Sequence, residues 1–141
     1  MKILSKREQH KIDFPNTPTV NQYRSYPRLC YGILNDVAGR GDNVAMRWMK
    51  RADYRTMMSL GTGPKMLRHT GDRRMKTLDP KIAAAIMRKA IGELGRRLTY
   101  HTNHCLESED RTPKGRELWY IITQYLATTA KPCSVSRTSE Q

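Results

Sequence analysis

The densest group of metal-binding side-chain types in the chain is His101-Thr-Asn-His104-Cys105. Imidazole nitrogens and a thiolate are zinc donors, and Cys30 or Cys133 would bring the set to four. Structural zinc sites usually carry paired ligands at both ends. Only one end is paired in this chain, so no metal and no other cofactor is expected. The histidines are expected to face solvent or to cap the end of a helix. Glu107, Glu109 and Asp110 are the nearest approach to the clustered carboxylates of a metal-dependent nuclease. They sit just before Arg111 and read as a solvated acidic loop. A Walker-type phosphate loop, a Gly-x-Ser-x-Gly elbow and a His-Glu-x-x-His pair are all absent. No enzyme is expected.

The chemistry that the sequence does offer is electrostatic. Lys and Arg total 26 against 13 Asp and Glu, a net charge of +13. Residues 47–97 hold 14 basic and 4 acidic residues, so about a third of the chain carries ten of the net charges. A basic surface attracts polyanions because neutralising phosphates releases condensed counterions. Arg47, Arg51 and Arg55 recur at intervals of four, a straight row on a helix, with Lys50 beside it. Arg73, Arg74 and Lys76 form a basic loop, and Lys81, Arg88, Lys89 and Arg96 lie on a polar face of the next helical segment. These eleven side chains are the expected nucleic-acid contacts. If a helix-turn-helix were built around residues 39–42, the basic row would fall on its recognition helix. That row has no Asn or Gln to read adenine, which favours phosphate contact over base readout. Trp48 and Tyr54 are candidates for stacking on an unpaired base, although Trp48 also fits the apolar face and is expected in the core. The alternative partner is an acidic protein surface, with this chain as a small inhibitor or adaptor whose Met side chains supply adaptable apolar contact.

Four helices are expected to position these groups. The first spans residues 27–38, opened by Pro27 and closed by Gly39, with Leu29, Cys30, Ile33, Leu34 and Val37 on one stripe. The second spans 43–60 and ends at Gly61-Thr-Gly63-Pro64. The third starts with Asp79 as its cap and Pro80 as its first residue. It buries Ile82, Ala83, Ile86, Ala90, Ile91, Leu94 and Leu98, and extends towards His104. The fourth starts at Thr112 and Pro113 and buries Leu118, Ile121, Ile122, Tyr125 and Leu126. No stretch alternates in the manner of a strand, so the expected fold is all-α, a compact bundle of about four helices. Residues 1–25, punctuated by Pro15 and Pro18, form an extended basic arm; residues 26–129 form the helical domain; residues 130–141 form a flexible tail.

With 141 residues the chain suits one domain. Leu, Ile, Val and Phe number only 24, and eight Met, seven Tyr and two Trp make up part of the deficit in core-forming side chains. No run of apolar residues is long enough to span a bilayer. Three cysteines at irregular spacings are no disulfide framework, and the N-terminus has no apolar signal region, so a reducing cytoplasm is expected.

Overall fold

The computed structural model describes residues 11–22, 24–39 and 43–129. The basic residues before Lys11 and the expected C-terminal tail lie outside the described residues. Among those described there is no strand, and six α-helices form: α1 (Ser25–Ala38), α2 (Val44–Lys50), α3 (Tyr54–Leu60), α4 (Leu78–Arg88), α5 (Gly92–Ser108) and α6 (Gly115–Thr129). Short 3₁₀ turns occur at Val20–Gln22, Pro64–Arg68 and Arg73–Met75. No helix among the described residues is long and apolar enough to cross a membrane.

The α6 helix is the centre of the bundle. The α3, α4 and α5 helices and the turn at Pro64–Arg68 all pack on it, while α2 packs on α1. Leu118, Trp119 and Ile122 of α6 are fully buried. Trp119 stacks on Tyr26 of α1 at 6.0 Å and donates its indole N–H to the Tyr31 hydroxyl at 3.2 Å. A buried indole and its partners of this kind hold about 3–5 kcal/mol of packing energy.

Six helices replace the expected four because two long periodic segments are each broken by a hydrogen-bonding side chain. Asp53 interrupts the second: its carboxylate accepts from the amides of Arg55 and Thr56 at 3.0 and 3.3 Å, the geometry of an N-cap. The chain turns at Arg51–Asp53 over the fully buried Ala52, so α2 packs on α1 and α3 packs on α6. The expected straight row of Arg47, Arg51 and Arg55 is thereby split, with Arg47 on α2, Arg51 at its C-cap and Arg55 in the first turn of α3.

The third segment is broken from a distance. Thr17, 74 residues away from Ile91, exchanges two hydrogen bonds of 2.8 Å with the Ile91 backbone, and its own amide donates to the Lys89 carbonyl at 3.0 Å. These contacts satisfy backbone groups that the interruption leaves without helical partners. Gly92 takes the left-handed conformation at φ +69 to redirect the chain. A Cβ on Gly95 would sit 2.7 Å from the Ala90 carbonyl carbon, so α5 starts tight against the turn. The segment that supplies Thr17 packs into the core through Ile12 and Phe14, each 1% exposed.

The remaining boundaries move for local reasons. The first helix begins at Ser25, two residues early. Thr77 rather than Asp79 is the N-cap of α4, and Asp79 is turned inward with no exposure. It accepts from the Thr70 hydroxyl at 2.9 Å and from the Gly115 amide at 2.8 Å. Asp79 thus ties the loop after α3 and the start of α6 to α4. A Cβ on Gly115 would lie 2.8 Å from the Asp79 carbonyl oxygen and from Ile82, so only glycine permits that approach. The fourth helix starts at Gly115, not Thr112.

Candidate nucleic-acid interface and neighbouring charge network

The eleven basic residues are not one surface. Arg47, Arg51, Arg55, Arg73, Lys76 and Arg96 are exposed and make no side-chain ion pair or hydrogen bond among the described residues. The others are engaged. Arg74 forms a fork with Asp72, with contacts of 3.1 and 2.9 Å. Arg88 donates to the Ile12 carbonyl at 2.8 Å, and Lys89 pairs with Asp13 at 3.3 Å. Lys81 is half-buried on α4 and holds an interaction of its own. Lys50 lies over the Tyr31 ring at 5.4 Å.

The free cations are also distributed. Arg55 borders a cavity with Arg24, Asp53 and Thr123. Arg96 lies on the open face of α5 beside Tyr100 and Asn103. Arg73 and Lys76 meet in a third place, the loop between α3 and α4. There they line a cavity of about 360 Å³ together with Arg68, His69, Asp72 and Lys114. Lys114 was not among the residues expected from sequence, and neither was Arg68.

Behind this loop stands a buried cation. Arg116 is 9% exposed, and its guanidinium lies over the Trp48 ring at 5.2 Å. It donates to the Thr70 carbonyl at 3.0 Å, which Trp48 also reaches with its indole N–H at 2.7 Å. Gly71, at φ +80, brings the backbone so close that a Cβ there would lie 3.2 Å from the Arg116 Nη1. Burial and the nearby Arg51 lower the Arg116 pKa, while Asp79 and Asp72 hold the charge in place. Trp48 is thus a core residue, 1% exposed, and not a stacking platform. Tyr54 is half-buried and meets Tyr120 edge-on at 5.6 Å.

At the end of α5 and the start of α6, Glu109 and Glu117 have cationic partners, while Glu107 is exposed. Glu109 accepts from Arg111 at 2.7 Å and from Arg68 at 3.0 Å, with His104 at 3.7 Å. The hydrogen bond from Arg111 holds its carboxyl below the ordinary range. The loop expected to be solvated is tied down at this residue. Glu117 is 5% exposed. It takes both arms of Arg111 at 2.6 and 3.0 Å, and the Lys114 amide at 2.8 Å. This last bond is the N3-to-N-cap half of a capping box at the start of α6. Burial opposes its charge, but hydrogen bonds from His101, Arg111 and Lys114 outweigh burial and lower its pKa to about 2.

His101 is half-buried rather than solvent-facing, with Nε2 3.2 Å from Glu117 and 3.5 Å from the Cys105 sulfur. His104 is exposed. Cys30 lies on α1 against Tyr26 and does not join them. The Pro113-Lys-Gly-Arg-Glu117 pattern carried a first-turn acid as its only sequence signal for Glu117. No family model, curated protein or solved structure matches the chain.

Proposed function

We propose that this protein is a non-catalytic nucleic-acid-binding factor, regulatory or accessory in role, that acts in the cytoplasm and grips the phosphate backbone. The observation that carries this reading is the cavity between α3 and α4, lined by Arg73, Lys76 and Lys114 beside Arg68, which is paired with Glu109, and with Arg116 behind them. Arg73 and Lys76 have no carboxylate partner among the described residues, so their charge is available to a ligand. Arg47, Arg51, Arg55 and Arg96 extend the contact as separate points along a longer polyanion. Arg74, Arg88 and Lys89 are already engaged with protein groups, which gives them a smaller share of the binding energy than their sequence positions suggest.

The test is a titration against labelled duplex DNA, single-stranded DNA and RNA from about 50 to 200 mM salt. Six or more phosphate contacts lower affinity by roughly a thousandfold over that range. Absence of binding at the lowest salt overturns the reading.

A second reading has its own observation. Met58, Leu60 and Met66 are 61%, 67% and 61% exposed, close in sequence to Arg55 and Lys65. An apolar anchor rimmed by cations suits docking on an acidic protein, such as a nucleic-acid-processing enzyme, better than it suits a phosphate chain. Replacing Met58 and Leu60 by Ser separates the two: nucleic-acid affinity stays unchanged under the first reading, and partner binding is lost under the second.

A further inference from the structure

We propose that His101, Cys105 and Glu117 form a binding site for one divalent cation of the zinc class, which clips α5 to α6. His101 and Cys105 are four residues apart on α5 and so share a face, and Glu117 meets them from the first turn of α6. Their three donor atoms lie within 4.8 Å of one another. Nε2 of His101 is 3.5 Å from the Cys105 sulfur and 3.2 Å from Oε2 of Glu117. A tetrahedral zinc with ordinary bond lengths separates sulfur from nitrogen by about 3.6 Å and nitrogen from oxygen by about 3.3 Å.

Hydrogen bonding accounts for this convergence poorly. One imidazole nitrogen carries either a proton or a lone pair, so it serves either Glu117, which Arg111 and the Lys114 amide also reach, or the Cys105 thiol, and not both. A cation serves all three once the sulfur and the carboxylate oxygen, which lie within 4.8 Å, close to about 3.6 Å by side-chain rotation. The surroundings also orient the carboxylate: Arg111 and the Lys114 amide hold Oε1 at 2.6 and 2.8 Å and leave Oε2 towards the imidazole. That is how outer-shell partners fix a ligand. Arg111 also reaches Oε2 at 3.0 Å, a contact the metal replaces, and Arg111 keeps Oε1 and Glu109.

On binding, the Cys105 thiol gives its proton to solvent, and the His101 ring keeps its proton on Nδ1 so that the Nε2 lone pair faces the metal. The His101 side chain is 29% exposed, which gives a water molecule a route to the fourth position. Sulfur, nitrogen and oxygen donors together suit zinc over magnesium or calcium.

Cobalt(II) added to the full chain, after stripping with chelator, is expected to give a thiolate-to-metal charge-transfer band and tetrahedral visible bands at one equivalent, both removed by zinc. Cys105→Ser abolishes the charge-transfer band. His101→Ala, at a half-buried position that tolerates truncation better, weakens cobalt binding at least tenfold. His104→Ala and Cys30→Ser leave the spectrum unchanged. Absence of the band in the parent protein overturns the proposal, and so does its persistence at full strength in Cys105→Ser or unchanged affinity in His101→Ala.

Discussion

Arg111 and Arg73 are both arginines near the protein surface, yet they live under opposite conditions. Arg111 has two carboxylates, Glu117 and Glu109, within 3.0 Å, and its side chain is 25% exposed. The hydrogen bonds it donates to Glu117 raise its pKa further above the arginine range. Arg73 has no carboxylate partner among the described residues and lines an open cavity with Lys76 and Lys114. One region spends its charges on holding α5, α6 and the loop after α3 in place. The other leaves them unspent. A high net charge therefore says little about where a partner binds. The pairing state of each cation divides the structural charges from the ones a ligand can use.

Removing one partner from each region should break the comparison most visibly. Glu117→Ala leaves Arg111 with one carboxylate in a half-dry setting, and breaking a buried pair costs about 3 kcal/mol. Thermal unfolding should fall by roughly 10 °C for a chain of this size. Arg73→Glu with Lys76→Glu should leave stability within about 0.5 kcal/mol, as exposed substitutions usually do. The same double variant should lower polyanion affinity at least tenfold at about 50 mM salt and reduce the salt slope by roughly 2. A large loss of stability in the rim variant, with binding intact, would invert the assignment of the two regions.

The next effect lies at Asp79, which borders both regions. Asp79→Ala strips acceptors from the Thr70 hydroxyl and the buried Gly115 amide. Leaving a buried amide unpaired costs about 1–3 kcal/mol, to be read by chemical denaturation. Cavity binding should weaken with it, because Thr70 and Gly71 carry the loop.

These charges mark the limit of what the sequence makes legible. The helical class follows from periodicity, because Leu118, Ile122 and Leu126 repeat on one face whatever they pack against. The helix breaks do not. Residues 43–60 have an unbroken helical period, and the break comes where Asp53 takes the amides of Arg55 and Thr56 and Thr123 of α6 takes that of Tyr54. The break before Gly92 depends on Thr17, whose position is set by Ile12 and Phe14 entering the core. A contact across 74 residues leaves no local trace. Arg116 and Glu117 were legible only as polar residues at the start of a helix, a place where charges usually face water. The pairing of His101 with Cys105 was visible as spacing on one helix; its third member was not.

A subtler effect is the pH dependence that Asp79 imposes. Burial raises its pKa above the ordinary carboxyl value, against the hydrogen bonds from Thr70 and Gly115 and the charge of Lys114. Arg116 faces it as well. A folded-state pKa above the unfolded value means that Asp79 stabilises most at pH below the unfolded pKa. That stabilisation is lost as pH rises through the folded pKa. Asp79→Asn keeps an acceptor for the Gly115 amide and cannot titrate. The stability of the parent relative to this variant should therefore fall as pH rises above the ordinary carboxyl pKa, measured by urea unfolding. A difference that grows in the opposite sense would mean that the cations around Asp79 outweigh its burial.

The smallest expected effect sharpens the rim itself. Asp72 lines the cavity and clamps Arg74, accepting from its Nε and Nη2 at 3.1 and 2.9 Å. It also accepts from the Arg74 amide at 2.9 Å, as the cap of the short turn at Arg73–Met75. Asparagine caps as well as aspartate, so Asp72→Asn should keep the turn and leave stability unchanged. It removes a negative charge from the cavity and loosens Arg74. If polyanions enter this cavity, their affinity should rise a few-fold at about 50 mM salt, with the salt slope steeper by about 0.9 for one added phosphate contact. Unchanged affinity and slope would place the bound phosphates away from the cavity, along the cations of α2, α3 and α5. The gain, though small, is the more telling result, because destabilising a protein rarely makes it bind more tightly.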